Sequence, residues 1–259
     1  MSLEITRLGF SYCTRRVLTD VSFHVGRGEL LAVMGPNGVG KTTLFRCILG
    51  LHRHYTGQIR IGGRDAADFS PRELAHEIAY IPQIHAPAFA FSVRDMVLMG
   101  TAHGLGSFSS PGKKEQEAAE AAMQRLGILH LAGRNYTHLS GGEQQLVLIA
   151  RALTQNARIL LMDEPTASLD YGNQLLVLSY ARTLASEGYT VLLSTHNPQH
   201  ALWYADRALA LYEGGVAAFG SPQEVLEPGL IQKLYGIRTE FIDTTRGQLI
   251  APLMEGQMF

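Results

Sequence analysis

Gly35-Pro36-Asn37-Gly38-Val39-Gly40-Lys41-Thr42 sets glycines, a lysine and a hydroxyl at the spacing of a phosphate-binding loop. Glycines let a backbone curl round a phosphate with its N–H groups turned inward. In that setting Lys41 would reach the β- and γ-phosphates of a nucleotide, and Thr42, with Thr43 beside it, would place hydroxyls at the loop's exit. Far downstream, Ile159-Leu160-Leu161-Met162-Asp163-Glu164 is an apolar run ending in two acids. Asp163 would hold Mg²⁺ with Thr42, most simply through water, and Glu164 would take a proton from an attacking water or orient it. The bland alternatives are a glycine-rich turn and an exposed acidic strand end. The apolar run before the loop and the helical pattern after it disfavour the first. The pairing of the acids with such a loop disfavours the second.

Those residues need elements to position them. Residues 30–34 form a continuous apolar run ending at Gly35, which reads as a buried strand feeding the loop. Residues 41–49 turn helical, with Gly50 as a C-cap. Residues 3–10 and 21–25 alternate apolar with polar, as half-buried strands do, and residues 58–61 read as a strand between glycines. Ser70-Pro71-Arg72-Glu73 is a capping box with proline at the first helical position, and residues 78–81 are a short apolar strand. Composition shifts after Pro82. Residues 92–99, 113–126 and 144–155 read as helices, with a Gly/Ser/Pro loop over 104–112. Strand signals return at 159–162, 191–195, 208–211 and 216–219. A capped helix over 221–226 and a strand–turn unit around Gly247 follow. This alternation predicts an α/β fold: a mainly parallel sheet covered on both faces and interrupted by a helical insertion.

At 259 residues, 46% hydrophobic and 17% charged, the chain can bury a sizeable core. It carries 22 basic against 23 acidic residues, so no basic excess points to nucleic acid, and no such partner is expected. Cys13 and Cys47 are too few for a disulfide scaffold and suit a reducing compartment. The opening MSLEITRLGF lacks a basic region followed by an apolar one, so no secretory leader is expected. No apolar run reaches the roughly 18 residues of a membrane span.

Leu139-Ser140-Gly141-Gly142-Glu143 stands just before the helix at 144–155. Alone it is a helix start, with Ser140 and two glycines able to cap and free N–H groups suited to an anion. Together with the phosphate loop and the Asp163–Glu164 pair it resembles the signature motif of ATP-binding-cassette (ABC) ATPases. The resemblance covers nearly the whole chain, in the family's order. It implies a P-loop ABC cassette with an N-terminal antiparallel β subdomain and an inserted helical subdomain. Residues 1–91 and 156–240 would form the core, 92–155 the helical part and 241–259 a C-terminal strand–turn extension. It implies that Tyr12 stacks on adenine, that Gln83 senses the γ-phosphate and the metal, and that His196 is the switch histidine. Ser168-Leu169-Asp170 would cross a dimer interface. Two cassettes would stack head to tail, with Leu139, Ser140, Gly141, Gly142 and Glu143 of one completing the ATP site of the other. ATP and Mg²⁺ follow as ligands.

The match has departures. Glu143 stands where glutamine is usual, and its charge near a partner's nucleotide would weaken ATP affinity. Gln144 and Leu146 replace common basic residues, and Val39 replaces a smaller one. His52, His54 and His85 read as solvated loop histidines rather than a metal cluster. Phe89 and Phe91 read equally well as a docking surface for a partner or as core of the helical part.

The cassette family serves several classes of work. No long heptad stretch supports a chromosome-maintenance role, and one phosphate loop with one signature does not fit tandem translation factors. Residues 92–100, Ser-Val-Arg-Asp-Met-Val-Leu-Met-Gly, and 195–201, Thr-His-Asn-Pro-Gln-His-Ala, resemble import cassettes for iron–siderophore, haem and cobalamin. Relatives that serve molybdate or tungstate share these stretches, and His103 with the phenylalanine-rich loop leans towards them. Thr101 stands where that group usually has arginine. The tail after Glu240 is too short for the regulatory domain of some sugar importers. The resemblance therefore implies an importer ATPase on the cytoplasmic face of the inner membrane. It would work with two permease subunits and an extracellular or periplasmic binding protein. A scaffold ATPase of iron–sulfur cluster assembly is the alternative.

Overall fold

The computed structural model describes residues 2–83, 90–104, 110–245 and 247–253, and of His103 the backbone alone. His85, Phe89 and the His103 side chain, singled out above, lie outside the described residues.

Strands β1 (Leu3–Tyr12) and β2 (Arg15–Val25) form an antiparallel hairpin that turns at Cys13, φ 49°. Both run further than the alternation predicts. Their polar ends pair through the backbone, Ser11 with Arg16 and Tyr12 with Arg15, where no buried face imposes a pattern. Strand β3 (Leu30–Met34) is buried throughout. Helix α1 (Lys41–Ile48) follows Gly40, and Gly50 closes it at φ 68°. Strands β4 (Thr56–Ile61) and β5 (Arg64–Asp65) complete a four-stranded antiparallel sheet ordered β2-β1-β4-β5. Helix α2 (Pro71–Glu77) opens on the expected Ser70 capping box and leads into β6 (Ile78–Ile81).

The inserted helices are α3 (Val93–Leu98), α4 (Lys113–Arg125) and α5 (Gly141–Thr154). Helix α5 starts at Gly141 rather than 144, because its first turn is made of glycines that carry no apolar period and is fixed by the Ser140 cap. There follow β7 (Ile159–Met162), α6 (Tyr171–Ser186), β8 (Thr190–Thr195), α7 (Pro198–Tyr204), β9 (Arg207–Tyr212) and β10 (Gly215–Gly220). Helices α8 (Pro222–Val225) and α9 (Pro228–Tyr235) precede a hairpin of β11 (Thr239–Thr244) and β12 (Gly247–Pro252).

The central sheet has six strands in the order β10-β9-β3-β8-β7-β6, parallel except at the β9–β10 pair. Its two faces meet different cores. Leu31, Val33, Leu161 and Leu192 pack with Leu44 and Phe45 and with the antiparallel sheet. Leu160, Met162 and Leu193 pack with Val93, Met96, Met123 and Val147 of the helical insertion. Burial on both faces is why β3, β7 and β8 read as unbroken apolar runs, each large side chain contributing about 1.5–3 kcal/mol. Phe91 packs against the helical core, and its carbonyl accepts the Tyr136 N–H at 3.0 Å, so of the two readings of this residue the core one holds. Among the described residues no helix is long and apolar enough to cross a membrane.

The parallel order has one consequence for chemistry. The C-terminal ends of β3, β8, β7 and β6 emerge side by side, bringing Gly35, His196, Asp163 and Pro82-Gln83 to one edge.

Candidate nucleotide site

Gly35 holds φ 144°, and a Cβ there would stand 2.4 Å from the Leu211 carbonyl oxygen, so the loop's first position admits only glycine. Gly38 and Gly40 also have positive φ. Lys41 is buried, 5% exposed. Its Nζ donates to the carbonyls of Gly35 (2.8 Å) and Pro36 (3.3 Å) and lies 3.3 Å from Glu164 Oε1. Gly38, Gly40, Lys41, Thr42, Thr43 and Glu164 line a cavity of about 130 Å³. Beside it Arg15, Arg16, Asn37 and Tyr212 help to line a cleft of about 360 Å³. The two arginines add positive charge that the loop motif alone did not reveal.

The two acids at the end of β7 separate. Asp163 stays inside, 3% exposed, and its two oxygens accept from Ser194 Oγ (2.7 Å) and Tyr80 OH (3.2 Å). Ser194 Oγ in turn accepts the Glu164 N–H at 2.7 Å. Glu164 takes a left-handed turn, φ 45°, which swings its side chain towards the cavity. There its Oε2 accepts from Gln83 Nε2 at 3.1 Å and lies 3.7 Å from His196 Nδ1. Lys41, Gln83 and His196 thus converge on one carboxylate. Ser194 and Tyr80 were missed. Their only signal was a hydroxyl at a position of an otherwise apolar strand. Burial and the neighbouring Asp163 push the Tyr80 phenol well above its ordinary range, so it remains a donor.

His196 is exposed, and the turn that carries it is braced from within. Thr195 Oγ1 accepts the Asn197 N–H at 3.1 Å and contacts His200 Nδ1 at 3.4 Å, while Asn197 Nδ2 lies 3.1 Å from His200 Nε2. Burial, with a smaller contribution from His196, lowers the His200 pKa from 6.5 to about 4. The unfolded chain therefore binds a proton that the fold excludes between these values. Stability contributed by neutral His200 is present above pH 6.5 and is lost as pH falls towards 4. Thermal unfolding in this window should show a drop with falling pH that His200→Asn flattens.

Tyr12 stands 40% exposed at the tip of β1. Its hydroxyl meets His52 Nε2 at 2.7 Å, and His52 stacks on Phe10 with centroids 4.7 Å apart. His52 is therefore not a solvated loop histidine: the fold sets it beside Tyr12. His54 is exposed, as expected. At the start of α5, Ser140 Oγ donates to Glu143 Oε2 (2.9 Å) and accepts the Glu143 N–H (3.3 Å). The Ser140 N–H, which donates to the same Oε2 at 2.8 Å, and after it the Ser140 hydroxyl hold the Glu143 carboxyl below its usual range. Glu143 also approaches Arg134 at 4.0 Å. A Cβ on Gly141 would meet Leu169 Cδ2 at 3.2 Å, and one on Gly142 would meet the Asn173 side chain at 2.4 Å. Asp170 caps α6 by accepting the Asn173 N–H at 2.9 Å, and Ser168 has φ 64°. The segments 139–143 and 168–170 are thus packed side by side, and the Ser140 and Glu143 side chains bond each other and approach Arg134 rather than Lys41 or Glu164.

Residues 18–167 match the family model described as ABC transporter. The chain belongs to the ABC transporter family. It is an ATP-binding cassette of the ATPase type. Over most of its length the cassette is similar to the hemin import ATP-binding protein HmuV of Gloeobacter violaceus, 40% identical over 92% of this chain and 88% of that one. It is similar to the molybdate import ATP-binding protein MolC of Haemophilus influenzae, 37% identical over 87% of this chain and 84% of that one. Among solved structures it resembles an inward-facing metal-chelate type ABC transporter, with TM-score 0.86, 33% identity and 98% of both chains covered. These findings bear out the α/β cassette fold expected from the motifs. Beside the phosphate loop, the Thr42 hydroxyl, the Gln83 amide and the Asp163 carboxylate are hard oxygen donors. That set suits Mg²⁺ held partly through water, since both Asp163 oxygens already accept protein hydrogen bonds.

Proposed function

We propose that this cassette hydrolyses ATP to drive a membrane importer of a metal chelate, such as an iron–siderophore, haem or cobalamin, or of molybdate or tungstate. The observation that carries the hydrolytic part is the convergence of Lys41, Gln83 and His196 on the Glu164 carboxylate. Glu164 takes the proton of the attacking water. Gly35 to Thr43 wrap the phosphates, with Pro36, Asn37 and Val39 in the turn, and Lys41 holds their charge. Tyr12 stacks on the adenine. Gln83 and His196 orient the reacting end. Thr42, Gln83 and Asp163 would hold Mg²⁺, which would offset phosphate charge. Two cassettes pair head to tail, with Leu139 to Glu143 of one over the nucleotide of the other and Ser168-Leu169-Asp170 across the interface. The start of the 14-residue α5 supports this reading, because a helix N-terminus favours an anion. Residues 1–91 and 156–240 act as the core, 92–155 as the helical signature part and 241–259 as a C-terminal strand–turn extension.

The importer reading rests on the import relatives and on a groove between α2 and the inserted helices. It has a volume of about 520 Å³ and is lined by Leu49, Leu51, Leu74, Met99, Arg151 and Gln155. Leu51 is 67% exposed and Met99 40%. We place a cytoplasmic helix of each of two permease subunits in the grooves of the pair, at the inner face of the membrane. An extracellular or periplasmic binding protein delivers cargo to them. Tagged cassette recovered from gently solubilised membranes should bring down a many-helix permease. Leu51→Asp combined with Met99→Asp should cut that recovery at least about tenfold, the weight of one desolvated apolar anchor, while ATP binding persists. Recovery of soluble iron–sulfur assembly proteins without a permease would overturn the importer reading in favour of the scaffold one.

A further inference from the structure

Helix α7, which begins two residues after His196, is held from both sides. Its inner side carries the Thr195–Asn197–His200 brace. Against its outer side stands the β11–β12 hairpin. Gln199 Nε2 donates to the Gln248 carbonyl at 3.1 Å, and Gln199 Oε1 accepts the Ile250 N–H at 2.8 Å. One side-chain amide thereby pairs with β12 as the backbone of a third strand would. Trp203 Nε1 donates to the same Gln248 carbonyl at 3.1 Å. Beneath these bonds Phe241 and Ile250 pack with Ala201, Leu202 and Met34, the last residue before the phosphate loop. The Gln199 backbone is tied the other way, its N–H donating to Asn197 Oδ1 at 2.9 Å. Gln199 therefore links the residue next to His196 with the C-terminal hairpin.

An isolated two-stranded hairpin is marginal in water. This one is ordered by its seat on α7 together with Ile231 and Tyr235 of α9, and thermodynamic linkage makes the α7 part mutual: what orders the hairpin also orders α7. From this geometry we infer that Gln199 is a positioning residue of the catalytic switch, tying His196 to the C-terminal hairpin so that the hairpin's seat fixes His196 towards Glu164. The inference rests on the reading of His196 as the switch. It gives the segment after Glu240, which otherwise only extends the fold, a part in setting the turnover rate.

Gln199→Leu keeps much of the volume and removes both bonds. Gln199→Glu keeps the acceptor for Ile250 and removes the donor. Steady-state ATPase assays on the full chain should show kcat lowered about tenfold in Gln199→Leu with the KM for ATP within about twofold, a coupling of the size one or two hydrogen bonds carry. Gln199→Glu should fall between that variant and the parent. Amide hydrogen exchange should speed up in Gln199→Leu at Ile250 and also over residues 196–204. If Gln199→Leu does not fold, Trp203→Phe, which removes the other donor, should show the same pattern more weakly. Faster exchange at Ile250 with exchange over 196–204 and kcat both unchanged would overturn the inference while leaving His196→Ala inactive. Full turnover in His196→Ala would instead remove the reading of His196 itself, and the inference with it.

Discussion

Glu164→Gln should lower ATP turnover about 10²–10⁴-fold, the usual cost of losing a general base, while ATP remains bound. The substitution keeps shape and hydrogen-bonding reach, so the left-handed turn at φ 45° and the bond from the Glu164 N–H to Ser194 survive. What it removes is the site that accepts the proton. It also removes the negative end of the 3.3 Å pair with Lys41, yet Lys41 keeps its bonds to the Gly35 and Pro36 carbonyls and stays in the loop. Affinity for ATP should therefore hold or rise, since a carboxylate near the phosphates has been neutralised. Bound ATP without hydrolysis should trap the paired form, visible as a dimer in gel filtration with ATP but not with ADP. Single-turnover release of phosphate at the parent rate would end the assignment of Glu164 as base.

Gly141→Asp should be as damaging by a different route. Stabilisation supplied by a second subunit is worth about 10³–10⁵ in rate in related phosphoryl transfers, and an added carboxylate at the start of α5 would meet a partner's phosphate with like charge. The fold has reason to tolerate it. The new Cβ would press on Leu169 Cδ2, the movable tip of a side chain, at 3.2 Å, and would stand in ordinary contact with the Ser168 carbonyl oxygen at 3.9 Å. A negative charge in the first turn of a helix is favourable to that helix by about 0.3–1 kcal/mol. Thermal stability should thus be kept or slightly raised while turnover collapses, and the variant's own phosphate loop should still bind ATP. A fall in melting temperature that parallels the fall in activity would instead indicate a folding defect.

Much of this site could be read along the chain because its parts are contiguous. The phosphate loop, the Asp163–Glu164 pair and the start of α5 each lie in one short stretch next to a strand or helix whose burial leaves an apolar pattern. What could not be read depends on which strands become neighbours. Ser194 reaches Asp163 across 31 positions and Tyr80 across 83, because β6, β7 and β8 stand side by side. A serine inside a buried strand has no local reason to be there, and the reason appears only when β7 is placed next to it. His52 meets Tyr12 across 40 positions for the same cause, a loop after α1 folding back on the β1–β2 hairpin. The tie from Gln199 to β12 likewise appears only when the C-terminal hairpin is placed against α7. The polar ends of β1 and β2 escaped because strand pairing by backbone bonds alone leaves no side-chain signature.

If each ATP site is made by two chains, mixing two inactive variants should rebuild an active one. Lys41→Ala lacks the phosphate grip but keeps its own Ser140-Gly141-Gly142 turn. Gly141→Asp keeps its phosphate loop but spoils the turn. Each alone should be inactive. In an equimolar mixture, the hetero-pairs contain one site built from an intact loop and an intact turn, so ATPase activity should return to a clear fraction of the parent's and track the fraction of mixed pairs. If the mixture stays as inactive as its components while mixed pairs are shown to form, the site is not shared between chains.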